Sequence, residues 1–208
     1  PDLDWSSNPL FATAHDLGAG WAEANPGASD LPPLLFLTDP ERTPEPWVQA
    51  ARLPPGAGVV FRAFGRADQR AVGARLAEVC RAHGLIFLVG ADEELAGDLG
   101  ADGLHLPERN LGQAVAVRAR RPGWRLTGSA HSPAALAAAG QAGLDAALLS
   151  PVFASHSPSA GAPLGVDRFR AWTQRAGLPV YALGGVTRET APELADSRAC
   201  GLAAVGGI

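Results

Sequence analysis

The chain has 208 residues, of which 47% are hydrophobic, and a formal net charge of −4. That length suits one large α/β domain, and mild acidity with scattered arginines excludes a nucleic-acid-binding surface. There is no apolar stretch of about 18 residues and no basic-then-apolar leader, so no membrane span is expected and the cytoplasm is the default compartment.

The 17 basic residues are all arginine, which excludes chemistry through a lysine Schiff base. Methionine is absent, so Pro1 is not expected to be the first translated residue. Cys80 and Cys200 stand 120 positions apart, without metal-site or redox spacing, and are read as small buried hydrophobes.

Residues 1–32 precede the first strand signal and are expected to form an N-terminal helical extension. It contains an amphipathic helix over 11–24, with Phe11, Leu17 and Trp21 on one face. From 33 to 208, short apolar runs alternate with alanine-rich amphipathic stretches, the rhythm of βα units on a parallel sheet.

Eight strands are predicted, at 34–38, 58–62, 86–89, 103–106, 125–128, 146–149, 180–183 and 202–205. Several lack polar alternation, as strands buried on both faces do. Asp68 is expected to cap a helix running through Cys80 to Gly84, and Asp92 with Glu93 and Glu94 to open the helix after strand three. Arg118, Arg120 and Arg121 suit a helix C-terminus. Ser132-Pro133 fits N-cap and N1 of a helix ending at Gly140 or Gly143, and Asp167 is read as the cap of a segment ending near Gly177. The longest loop of the repeat lies between Ser150 and Gly165.

Eight strands in this rhythm predict a TIM (β/α)8 barrel. The sequence stops at Ile208, directly after strand eight, so the eighth helix is missing from it. The N-terminal helix is expected to cover part of the apolar surface that such a helix would bury.

The strongest ligand signal is Pro179-Val180-Tyr181-Ala182-Leu183-Gly184-Gly185-Val186, read as a buried strand running into a glycine pair that opens a helix. Such a junction lets backbone approach an anion and offers it free N–H groups. A second apolar run ends in Gly206-Gly207. The loops after strands seven and eight are the usual phosphate site of a barrel.

Arg62, at the end of strand two, suits phosphate or carboxylate, or a rim ion pair. Ser129 and His131 alternate after strand five, so both can face one cavity. His131 is the best acid/base candidate, against the plainer reading of a histidine hydrogen-bonded at a helix start. His105 is read as a satisfied interior residue, His156 as a loop residue facing ligand or water, and His15 and His83 as surface positions. The histidines lack zinc-site spacing, Asp39 ends strand one, helix capping explains Asp92, Glu93 and Glu94 at least as well as magnesium binding, and no resident metal is expected.

In this order and spacing, several motifs resemble the superfamily of thiamin-phosphate synthases and TenI-type thiazole tautomerases over about residues 33–208. They are Leu35-Phe36-Leu37-Thr38-Asp39, Arg62, Gly100-Ala101-Asp102-Gly103-Leu104-His105-Leu106, Gly128-Ser129-Ala130-His131-Ser132, Ser150-Pro151-Val152-Phe153 and the segment 179–186. The resemblance implies a barrel that binds thiazole phosphate, with the phosphate on Gly184, Gly185, Gly206 and Gly207. Arg62, Ser129 and Ser150 would contact the substrate and His131 would shuttle a proton.

Synthases of the superfamily join a pyrimidine diphosphate to thiazole phosphate with magnesium held after strands three and four. This chain has Gly90-Ala91 where they have Asn-Asp, Asn110 where they have an acid, and Pro158 where they have a lysine. Pro107 also departs from their usual Gly-Gln. The departures favour a thiazole tautomerase, with Mg2+ needed only if synthase activity is retained. The alternatives are a divergent thiamin-phosphate synthase and a non-catalytic phosphate-binding barrel. The expected partners are a small phosphorylated thiazole-type ligand and, for assembly, a second copy in a homodimer.

Overall fold

The computed structural model describes residues 4–26, 30–155 and 161–206. Eight parallel strands close into a barrel in sequence order: β1 (Leu34–Leu37), β2 (Gly58–Phe61), β3 (Ile86–Gly90), β4 (Gly103–Leu106), β5 (Arg125–Ala130), β6 (Ala146–Leu149), β7 (Val180–Ala182) and β8 (Gly201–Ala204). The seam is closed by β1 against β8, Leu35 opposite Ala203. Every predicted strand is present, and the TIM-barrel expectation holds.

The helical layer comprises α1 (Pro9–Ala24), α2 (Pro46–Ala50), α3 (Gln69–Ala82), α4 (Glu93–Asp98), α5 (Ala114–Arg120), α6 (Pro133–Gln141) and α7 (Val166–Thr173). Two short 3-10 helices, Glu108–Gln113 and Ala191–Leu194, complete it.

Period-two alternation splits the apolar residues into two sets. Leu35, Leu37, Val60, Leu88, Leu148, Tyr181 and Ala203 point into the barrel and fill its interior. Their neighbours Leu34, Phe36, Val59, Phe61, Val89, Leu104 and Leu149 point outward beneath the helices. The same alternation makes one sector of the interior polar, because β4 turns His105 inward and β5 turns in Thr127 and Ser129.

Aspartates just before two strands tie down the lower ends of their neighbours. The Phe87 N–H donates to Asp102 at 2.7 Å, and the Leu126 N–H donates to Asp145 at 2.7 Å.

Leu10, Phe11, Ala14 and Leu17 of α1 are buried in the outer layer, and α1 lies against β1, β8 and the Ala191–Leu194 turn. It therefore covers the outer face where β8 meets β1, as the amphipathic pattern suggested. Trp21 differs from that reading: it is only half-buried and packs at the end of the barrel interior.

Ser132 caps α6, accepting from the Ala135 N–H, and Pro133 follows at N1. Asp92 caps α4 in the same way. Two predicted caps are corrected. Asp68 precedes α3, but its carboxylate is drawn into a bidentate pair with Arg66 and bonds no helix N–H. Gly165 (φ +73°), not Asp167, begins α7, and the helix stops at Thr173 before reaching Gly177.

Cys80 and Cys200 are free and buried, and burial pushes the Cys80 thiol up to about 12, with Asp102 adding to it. Among the described residues no helix is long and apolar enough to cross a membrane.

Candidate functional site

A cleft of about 1260 Å³ opens at the C-terminal ends of the strands. Arg62, Ser129, His131, Ser150, Gly184, Gly185 and Gly206 all line it, so seven residues chosen from sequence, on five βα units, converge on one cavity. Gly207, His156 and Pro158 lie outside the described residues.

The β2 wall is built around Arg62. Its backbone N–H donates to the Thr38 hydroxyl at 2.9 Å and its Nε donates to the Thr38 carbonyl at 2.8 Å. One terminal nitrogen, Nη2, sits 3.6 Å from Asp39 and makes no hydrogen bond although buried. Burial lowers the guanidinium pKa to about 10, Asp39 opposes the shift and Arg42 adds to it, so the group stays charged at neutral pH. Asp39 is not a spare carboxylate. Burial alone would raise its pKa, but hydrogen bonds from the Arg42 and Glu41 backbone and the Arg42 guanidinium outweigh that and hold it below its ordinary value.

β5 runs two residues beyond the prediction, through Ala130, because Ser129 and Ala130 stay in register with Leu148 and Leu149 of β6. Ser129 is therefore a strand residue aimed into the mouth. Its hydroxyl lies 3.0 Å from His105 Nε2, while His105 Nδ1 lies 2.9 Å from the Thr127 hydroxyl. With both ring nitrogens engaged and the ring fully buried, desolvation lowers the His105 pKa to about 3, with Arg62 contributing. His105 is neutral and positions Ser129; the reading as a satisfied interior residue holds.

His131 continues the inward series one step above Ser129 and is exposed at the rim. Its backbone N–H donates to Glu108 at 2.8 Å. Its Nδ1 lies 2.9 Å from the Ser150 carbonyl and 3.2 Å from the Ser150 hydroxyl. A carbonyl only accepts, so Nδ1 carries a hydrogen, and in the neutral ring Nε2 is the basic nitrogen.

The opposite wall is backbone. Gly184 (φ +94°) and Gly185 (φ +65°) pass directly under the loop after β6: a Cβ on Gly184 would lie 2.6 Å from Pro151 Cα, and one on Gly185 would lie 2.5 Å from the Ala154 carbonyl. The Phe153 N–H donates to the Gly184 carbonyl. Among the described residues, neither glycine N–H has an acceptor.

The pair does not open a helix, which corrects the sequence reading. A side-chain-closed turn follows, in which the Thr190 hydroxyl donates to the Gly185 carbonyl at 2.8 Å and accepts from the Thr187 N–H. Only the four-residue 3-10 turn comes after it, because Pro192 and the short spacing to β8 leave no room for more. Any anion here would be held by loop amides, without a helix dipole. Sequence reasoning missed Thr187 and Thr190; a threonine pair three apart after a glycine pair was the available signal.

On the β3–β4 side the cleft is lined by Gly90, Ala91, Asp92, Glu93 and Arg109. Gly90 and Ala91 contribute backbone and a methyl group. Asp92 lines the cleft but caps Leu95, and Glu93 is held by two bonds from Arg120. No group of three potential metal ligands occurs among the described residues. Each of these two carboxylates already has a protein partner.

Residues 34–208 match the family described as thiamine monophosphate synthase. The chain belongs to the thiamine monophosphate synthase family. A thiamine-phosphate synthase of Alcanivorax borkumensis is 30% identical over 181 residues, covering 83% of this chain and 82% of that protein. The thiamine biosynthesis bifunctional protein ThiED of Geobacter sulfurreducens is 31% identical over 178 residues, but the match covers only 36% of its length. The match to the bifunctional ThiM/ThiE protein of Symbiobacterium thermophilum covers 28% of that protein. Among solved structures, a thiamine phosphate pyrophosphorylase from Pyrococcus furiosus superposes with a TM-score of 0.71 at 21% identity, covering 83% of this chain and 84% of that one. At that identity the likeness establishes the shared barrel. Family membership makes the mouth, with its Ser129–His131 rim and glycine wall, the place to look for substrate.

Proposed function

We propose that this chain is a thiamin-biosynthesis enzyme that takes a phosphorylated thiazole into the barrel mouth. The phosphate would rest on the backbone of Gly184, Gly185 and Gly206, and the ring would lie between Ser129, His131 and Ser150. The observation that carries this reading is the glycine wall: two adjacent amides without acceptors among the described residues, at the end of strand seven, in a cleft that also holds Arg62.

For the reaction, the names of the relatives favour thiamine-phosphate synthesis, the coupling of a pyrimidine diphosphate to thiazole phosphate. In this cleft the cations available to a leaving diphosphate are Arg42, Arg62 and Arg109. Isomerisation of a thiazole phosphate by proton transfer is the second reading. One observation favours it: the Ser150 carbonyl fixes the His131 tautomer with Nε2 as base, while every carboxylate around Gly90-Ala91 is engaged.

Turnover assays separate the two. Thiamin phosphate formed from both substrates, with and without magnesium, supports the first reading. Rearrangement of a single thiazole phosphate supports the second, and His131→Asn should then slow it by about 10²–10⁴-fold while leaving thiazole-phosphate affinity intact. Failure of the wild-type chain to bind thiazole phosphate by calorimetry overturns the proposal itself.

A further inference from the structure

Ala63, Phe64, Gly65 and Arg66 form a tight turn at the exit of β2, closed by the Arg66 N–H donating to the Ala63 carbonyl at 3.2 Å. Both central residues have positive φ, +51° at Phe64 and +76° at Gly65. That is the signature of a type I′ turn, whose first central position favours asparagine, aspartate or glycine. A phenylalanine there is a conformational outlier, held at a cost that asparagine would largely avoid.

Packing does not explain the choice. Phe64 is 69% exposed, more than any other large hydrophobic residue described. Its ring lies on the cleft, with the Arg62 guanidinium 5.2 Å from its centroid. The buried Nη2 of that arginine makes no hydrogen bond. Ala63, Gly65, Gly90 and Ala91 add only small groups to the same cleft lining, a shelf that also carries Gln69, Asp92 and Glu93. A strained backbone that displays an unpacked aromatic ring at a cleft is accounted for by a ligand rather than by the fold.

We propose that Phe64 is a specificity-determining residue whose ring stacks on a planar nitrogen heterocycle of the substrate, with Arg62 Nη2 bonding an acceptor on that ring or its substituent. This rests on the proposed function, since it assumes an aromatic substrate in the mouth. The shared chemistry is a flat heteroaromatic ring, and it has two sources. In single-substrate chemistry the ring is the thiazole; in coupling chemistry it is the pyrimidine.

Calorimetry on the full chain, comparing wild type with Phe64→Asn and Phe64→Trp, tests the assignment with three probes: thiazole phosphate, an aminopyrimidine phosphate and inorganic phosphate. Phe64→Asn should weaken one of the two ring ligands by about 10–100-fold, as loss of a stacking partner does. It should leave inorganic phosphate unchanged and raise Tm by relieving the turn. Phe64→Trp should retain the ring affinity. The ring ligand that loses affinity identifies which source uses the shelf.

Equal ring affinity in wild type and Phe64→Asn overturns the role even when the wild type binds thiazole phosphate well. Parallel losses for ring ligand and inorganic phosphate also overturn it, as does a wild type that binds neither ring.

Discussion

Alanine at Gly184 should lower Tm by about 4–20 °C and abolish inorganic phosphate binding in the same variant. Two costs add at this position. Left-handed backbone at φ +94° costs an L-residue about 1–2 kcal/mol, and the new Cβ would sit 2.6 Å from Pro151 Cα and 2.7 Å from its Cβ. A backbone neighbour cannot rotate away, so overpacking adds about 1–3 kcal/mol. For a domain of this size each kcal/mol corresponds to about 2–4 °C.

Gly206→Ala is the control. Its φ is +71°, but a Cβ there would meet nothing within 4 Å among the described residues, so it carries the conformational cost alone. Thermal melts that place Gly184→Ala within a degree or two of Gly206→Ala would show that the loop after β6 does not depend on this contact. The same comparison separates two uses of the glycine pair. Its lack of side chains lets the Pro151–Ala154 segment pack onto it, and its amides have no acceptor among the described residues.

The second large effect is acid sensitivity centred on His105. The group has a folded pKa of about 3 against an ordinary value of 6.5, so the folded state favours the neutral ring. For a group whose folded pKa is depressed, the unfolded chain binds the proton first. The stabilising contribution is complete above pH 6.5 and is lost progressively as pH falls from 6.5 toward 3, by at most about 1.4 kcal/mol per pH unit.

Denaturant melts of the wild type should therefore show a decline already between pH 6.5 and 4.5. Asp39, with a depressed carboxyl pKa, adds its own loss only at lower pH. His105→Gln, which places a neutral amide beside Thr127 and Ser129, should flatten the slope in that window. Equal slopes in the two proteins would mean that the buried ring is not the sensitive group.

Much of the fold was legible in the sequence because a parallel barrel writes its strands as short apolar runs at regular intervals. Residues 103–106 and 146–149 were bounded correctly for that reason, and Ser132-Pro133 announced α6 through capping chemistry that acts within four residues. The failures share a cause. Asp68 had a local cap available and took Arg66 instead. The strand over 180–183 was read as leading through Gly184-Gly185 into a helix, when the chain closes a threonine turn and returns quickly to β8. In each case a nearby side chain outcompeted the local pattern, and propensity does not record such competition.

The site divides along the same line. Arg62, Ser129 and His131 could be nominated because alternation along a strand places every second residue inside and strand ends are where a barrel does chemistry. Phe64 could not, because a phenylalanine beside a glycine reads as a core residue until the backbone turn shows it facing out.

By itself the sequence determined eight strands and two interleaved apolar faces, set by short-range periodicity, and the order of its motifs carried the resemblance to the thiamine monophosphate synthase family. The tertiary structure alone decided the partnerships. Asp39 was committed to the two arginines, His105 was sealed neutral between Thr127 and Ser129, the His131 tautomer was fixed on the Ser150 carbonyl, and Gly184-Gly185 was set under Pro151 and Ala154. These contacts, apart from that of Asp39 with Arg42, join residues some 19–33 positions apart. Only closure of the barrel brings them within reach.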